Sequence, residues 1–175
     1  MSKIKVQIKS LWGSVLFEAE KEDYTVKRAL RDAVLQDADL RGADLRGIPL
    51  KNLPQDYVNL CSRDILFVLE HLKPEVPFLK DKLLAGQVDG SQYEGRCACL
   101  VGSLAKAAEG SVEAVCQAIP YYKMDVRNPG EQWFLNINEG DTPKTNEFSK
   151  HAVRLCNMVL GLPDDDGLVL EAEGK

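Results

Sequence analysis

Ala38-Asp39-Leu40-Arg41-Gly42 is followed at once by Ala43-Asp44-Leu45-Arg46-Gly47, a five-residue unit repeated without change. A period of five fits neither the helical turn of about 3.6 residues nor the two-residue alternation of a strand. It is also far shorter than the roughly 20–50-residue units of helical solenoids. Ala33-Val34-Leu35-Gln36-Asp37 is a degenerate unit upstream, and Ile48-Pro49-Leu50-Lys51-Asn52 closes the run downstream. Leu35, Leu40, Leu45 and Leu50 then share the central position, so the register holds for about four units.

Outward from this run, residues 3–10 alternate, with Ile4, Val6 and Ile8 on one side and Lys3, Lys5, Gln7 and Lys9 on the other. That pattern predicts a half-buried strand. Leu11-Trp12-Gly13-Ser14 reads as a connection to a second strand over 15–20, forming a hairpin that must pack on something to be stable. Val26, Leu30 and Val34 predict a short helix capped by Thr25. After Ser62 the spacing becomes helical, with helices expected over 64–72, 76–85, 97–108 and 111–119. Pro74, Gly86 and Pro120 supply stops. Residues 131–138 are aromatic and apolar. Thr142 as cap and Pro143 at the first helical position predict a last helix running to Leu160, ended by Gly161 and Pro163.

The repeat resembles the pentapeptide-repeat family, whose unit reads small residue, Asp or Asn, Leu, then two polar positions. The resemblance implies that four units make one square turn of right-handed parallel β-helix, with the central Leu and the small residue two before it pointing inward. A single turn has two open ends of backbone and a thin core, so it needs cover from the hairpin and helix on one end and the second half on the other. A second set of segments runs Asp89-Gly90-Ser91-Gln92-Tyr93-Glu94-Gly95-Arg96-Cys97-Ala98-Cys99-Leu100-Val101-Gly102, Glu131-Gln132-Trp133-Phe134 and Gly140-Asp141-Thr142-Pro143. In that order they are similar to a family of bacteriophage and prophage proteins that join a hairpin and a few pentapeptide units to a helical domain. This likeness covers nearly the whole chain and implies an architecture and a viral context, not a reaction.

A hydrophobic content of 45% with 28% charged residues is that of a soluble globular chain and not of a disordered one. No apolar run approaches the ~18 residues of a membrane span, and the first ten residues alternate instead of forming a signal-peptide core. Five cysteines, an odd number and widely spaced, suit a reducing cytoplasm. The net charge of −5 argues against a nucleic-acid binder. Acidity lies in the second half: residues 1–60 carry ten Lys or Arg against nine Asp or Glu, and residues 61–175 carry twelve against eighteen. Asp164-Asp165-Asp166 opens what reads as a solvated acidic tail.

Cys97-Ala98-Cys99 offers two thiols on one side of an extended segment, but no second Cys or His pair completes a zinc site. The pair reads as buried cysteines; a nucleophilic cysteine assisted by His151 is the minority reading. Glu131, Trp133 and Asp141 are candidates for a small polar site against an aromatic wall. In the plainer reading Trp133 and Phe134 are core, Asp141 holds its turn and Glu131 is solvated. Trp12, Tyr121 and Tyr122 fall in connections, where exposed aromatics can anchor a partner. Arg41 and Arg46 alternate with Asp39 and Asp44, so the repeat is nearly neutral and too short for the DNA mimicry open to longer pentapeptide proteins. The phosphate-cradling GxxxxGK[ST] and GxGxxG motifs, HExxH and GxSxG are all missing.

These readings predict an α+β chain. Residues 1–60 form the hairpin, a short helix and about one turn of pentapeptide β-helix; residues 61–163 form a mainly helical domain; residues 164–175 form the tail. The expected function is that of a phage-derived, non-enzymatic binding protein in the bacterial cytoplasm that modulates a host protein, a defence component being one version. One alternative is a small-ligand binder or cysteine-dependent enzyme built on Cys97, Cys99, Glu131, Trp133 and Asp141. Another is an assembly protein, such as a homodimer, pairing through strand edges. No metal, cofactor or membrane partner is expected.

Overall fold

In the computed structural model, residues 3–36, 38–40, 42–91, 99–123, 125 and 127–163 are described. Cys97 and the expected acidic tail over 164–175 lie outside the described residues.

Strands β1 (Lys3–Lys9) and β2 (Val15–Glu22) form an antiparallel hairpin with a register irregularity between Ile8 and Lys9. The expected alternation sets its two faces. Val6 and Ile8 pair with Ala19 and Phe17, and Ile8 and Phe17 are buried. On the other face Lys3, Lys5 and Gln7 oppose Glu22, Glu20 and Glu18, a cross-strand arrangement of opposite charges that includes the Lys5–Glu18 ion pair. Helix α1 (Val26–Leu35) packs on both strands through Ala29, Leu30 and Ala33, and the Thr25 hydroxyl accepts from the Arg28 N–H at its start.

The repeat produces the same turn twice. Ala43 N–H donates to the Leu40 carbonyl (3.0 Å) and Ile48 N–H to the Leu45 carbonyl (3.2 Å), with Gly42 and Gly47 at φ of 76° and 74°. A turn closed between residues i and i+3 with positive φ at i+2 is one that glycine satisfies without Cβ strain. Leu40, Ala43 and Leu45 are buried, as the repeat register expects. Among the described residues this segment pairs with the hairpin through an isolated Ser10–Ala43 bridge and the bonds beside it, and Leu50–Asn52 follow as a 3-10 turn. An α+β chain is therefore shown; a coil of pentapeptide β-helix is not shown by these residues.

Among the described residues six further α-helices follow: α2 (Gln55–His71), α3 (Val76–Leu84), α4 (Leu100–Ala107), α5 (Val112–Ala118), α6 (Pro129–Phe134) and α7 (Glu147–Leu160). Helix α2 starts nine residues before the expected Asp64, because Tyr57 and Cys61 extend the stripe of Ile65, Val68 and Leu69 by two turns. Helix α7 starts at Glu147 and not at Pro143. Residues 142–145 close a turn, and the Asn146 side chain then accepts from Phe148 N–H (2.8 Å) and Ser149 N–H (3.0 Å), capping the helix at that point. The aromatic stretch near 131 is the short helix α6, which buries Trp133 and Phe134. One apolar cluster reaches from Ile8 through Leu45, Ile65, Leu100 and Trp133 to Val159, and α2 crosses position 60.

Candidate functional site

Two carboxylates, the half-buried Asp64 and the enclosed Glu131, link three helices. Helix α6 has no side-chain cap of its own from Asn128; Asp64 of α2 instead accepts from the Gly130 N–H at 2.8 Å. Helix α4 likewise gets no cap from Cys99, and Glu131 of α6 accepts from the Val101 N–H at 3.3 Å. Both groups meet free N–H donors of a helix start, where negative charge is favoured. Glu131 is 1% exposed, which corrects the expectation that it is solvated. Burial pushes its carboxyl up to about 7, against the lowering effect of hydrogen bonds from Cys99 and Val101, and the charge of Asp64 adds to the rise. The Tyr122 hydroxyl faces the same carboxyl and lowers its pKa, yet neither it nor Glu131 Oε2 reaches hydrogen-bond geometry with any partner among the described residues.

Cys99 lies against Glu131, and burial, then the neighbouring carboxyl, pushes its thiol up. A nucleophilic cysteine needs the opposite shift. Trp133 is enclosed on the far side of α6, donating from Nε1 to the Phe148 carbonyl (3.0 Å), with its ring 4.8 Å from Phe148 and 4.7 Å from His151. Asp141 sits in the loop before α7, accepting from Asn138 N–H (2.8 Å) and the Asn146 amide (2.8 Å). The structure thus brings Cys99 and Glu131 together, leaves Trp133 and Asp141 apart from them, and encloses all but Asp141 in packed interior. Among the described residues no three of His, Cys, Asp or Glu gather as a metal-binding group.

Besides the Trp133 ring, His151 meets Ser62, a contact no local motif announces: 89 residues separate them in sequence, and the packing of α2 on α7 brings them to 2.8 Å. Ser62 Oγ also lies 2.8 Å from the Val58 carbonyl, a bond in which the hydroxyl must donate. The single hydroxyl proton is then committed, and His151 Nε2–H is the donor to Ser62. In that tautomer the imidazole cannot act as base toward the serine.

Of the three aromatic surface candidates, Tyr122 is half-buried with its hydroxyl enclosed, so it is a packing residue. Trp12 and Tyr121 are different. Trp12, at the hairpin turn, is 66% exposed, and its ring is held from below. A Cβ built on Gly42 would stand 3.2 Å from the Trp12 ring and 3.1 Å from the Arg127 stem, so both side chains lie over this repeat glycine. Arg127 is in turn fixed by Asp125, whose two oxygens accept from its Nε at 3.0 and 2.9 Å. Tyr121 is fully exposed at φ 59°, a left-handed conformation in which a side chain is strained by roughly 1–2 kcal/mol. Gly42 is the partner that sequence reasoning missed; its signal is the fixed glycine of the repeat.

Among the described residues no helix is long and apolar enough to cross a membrane. Comparison with protein-family models, with curated proteins and with solved structures found no match to this chain.

Proposed function

We propose that this chain is a non-enzymatic protein-binding module that presents Trp12 and Tyr121 to its partner. The observation that carries this reading is the pairing of exposure with fixation. A ring as large as Trp12 left two-thirds in water, yet seated on Gly42 beside a braced Arg127, is pre-ordered for contact and loses little side-chain entropy on binding. Tyr121 adds a strained, fully exposed aromatic, and backbone strain concentrates at functional positions. A thiol chemistry at Cys99 finds no support in an enclosed, protonated sulfur. Strand-edge assembly finds little in a two-stranded sheet rich in Lys and Glu, residues that discourage edge pairing.

The resemblance to phage pentapeptide proteins supports a bacterial host protein as the partner, modulated by being occupied, with a defence component as the narrower version. In this reading the repeated turns are a single pentapeptide coil that joins the hairpin to the helices and seats Trp12. Capture from bacterial lysate by the full chain, set against Trp12→Ala and Tyr121→Ala, tests it. Each substitution is expected to reduce the captured partner by about tenfold or more. Failure of the unsubstituted protein to retain any partner at micromolar concentration would overturn the reading.

A further inference from the structure

Helix α2 carries a second stripe besides its buried one. Asp56, Leu60 and Arg63 follow one another at i, i+4 and i+7, so they share one face of the helix. All three are exposed, and Leu60 is left 41% in water. They also line a hollow of about 390 Å³, whose other walls include Val34 of α1, Ala38 and Leu40 of the repeat, and Pro129 of α6. A single exposed leucine is ordinary on a protein surface. One that continues into an apolar hollow forms a patch that a second surface can cover.

The charges on either side of Leu60 select that surface. Asp56 suits the first turn of a helix, where an anion is favoured, but among the described residues neither Asp56 nor Arg63 forms an ion pair. They stand seven residues apart, about 10 Å along the helix axis, and Leu60 lies beside their midpoint. The complement of this face is an apolar residue with a cation and an anion in the reverse order at the same spacing. A second α2 running antiparallel supplies it. About a two-fold axis beside Leu60, each Asp56 faces Arg63 of the partner subunit, and the two leucines meet.

We propose that a second copy of this chain covers this face, in a two-fold dimer whose α2 helices run antiparallel with Leu60 at the axis. A parallel pair would set Asp56 against Asp56 and Arg63 against Arg63. The charges fix the register as well. Phe67, 40% exposed, lies on the same stripe seven residues beyond Leu60. Sliding the helices until Leu60 covers Phe67 of the partner subunit would bring the two Arg63 side chains together at the axis, where like charges repel. Exposed ion pairs add little affinity on their own, so the pairs choose partner and register while Leu60 and the hollow supply the attraction. Neither Trp12 nor Tyr121 lines the hollow, and the dimer stands or falls separately from the protein-binding reading above.

Sedimentation equilibrium of the full chain over roughly 5–500 µM tests this, a range that suits a small interface. The unsubstituted protein is expected to approach the mass of two chains as concentration rises. Asp56→Arg and Arg63→Asp should each weaken self-association by about tenfold or more, because each sets like charges opposite one another at both ends of the contact. Asp56→Arg combined with Arg63→Asp exchanges the charges and should recover the dimer, and an equimolar mixture of the two single variants should form a mixed dimer. Leu60→Glu, at an exposed position, puts two carboxylates at the axis and should give a folded monomer by dichroism and sedimentation. A monomer across the whole range, a dimer that survives Leu60→Glu, or a double variant no tighter than the single ones would each overturn the proposal. A chain that stays monomeric while Leu60→Glu abolishes lysate capture would assign the face to a foreign protein and overturn the dimer.

Discussion

Glu131 shows how one side chain can set the pH response of the whole fold. Its carboxyl is enclosed, half-satisfied by Val101, and raised to about 7 chiefly by burial. Below an ordinary carboxyl value near 4.5 both folded and unfolded chains hold the proton, and its stabilising effect is complete. As pH rises from there towards 7 the unfolded chain releases the proton while the folded one keeps it, so stability falls across that window. The fall amounts to roughly 2–3 kcal/mol. Asp64, also raised by burial, acts in the same direction. Asp32, Asp44 and Asp125 are held low by Lys21, Arg46 and Arg127, and their contribution is lost only at more acidic pH. Urea unfolding at pH 5 and pH 7.5 should therefore give a lower midpoint at the higher pH. In Glu131→Gln, which keeps the acceptor for Val101 but cannot ionise, most of that difference should vanish. A midpoint that does not move in the unsubstituted protein would mean that Glu131 is hydrated and charged.

At the scale of elements, the repeat is where two identical letters carry different weight. Gly42 and Gly47 hold the same φ at the same turn position, so replacing either by Ala incurs the same backbone strain, roughly 1–2 kcal/mol. Around Gly47 a new Cβ meets nothing within 4 Å, whereas at Gly42 it would press on Trp12 and Arg127. Gly42→Ala is thus expected to destabilise more than Gly47→Ala in denaturant unfolding and, unlike it, to shift the Trp12 indole N–H resonance; equal costs and equal spectra would contradict the seat for Trp12. The hairpin and the burial of Leu40 and Leu45 were legible because each follows from a local period, whereas the turns at Gly42 and Gly47 were not expected. The start of α2 was not, since Tyr57 and Cys61 acquire their helical role only by facing α6 and α7. The start of α7 was missed for a related reason: Pro143 is a good first helical residue, but Asn146 offers a better cap and Asp141 holds it there. Glu131 was the hardest to read, because a glutamate capping another helix looks in sequence like any solvated glutamate.

Across the whole molecule, the halves distinguished by their periodicity are joined by buried polar contacts as well as by apolar packing. Gln132 of α6 sits at the junction. With its amide oxygen facing the donors, it accepts from Gly42 N–H (2.7 Å) and Ala43 N–H (3.2 Å), and its NH₂ donates to the Tyr57 hydroxyl of α2 (3.0 Å). A side chain from residue 132 thereby completes the turn that begins the second perfect repeat unit, and Tyr57 ties both to the helix that crosses position 60. With one apolar cluster continuing from Ile8 to Val159, the repeat segment has no separate core to retain when the helices come apart. The Trp12 indole N–H resonance, distinct from that of Trp133, reports the hairpin and repeat, and far-ultraviolet dichroism reports the helices; the two should then follow a single coincident transition in urea. Gln132→Leu conserves most of the volume but strands the Gly42 N–H and the Tyr57 hydroxyl in the interior, a loss of about 1–3 kcal/mol. It should lower both curves together. Two separate transitions in the unsubstituted protein, or a shift confined to the Trp12 signal in Gln132→Leu, would show that the repeat segment folds apart from the helices and that Gln132 only decorates their boundary.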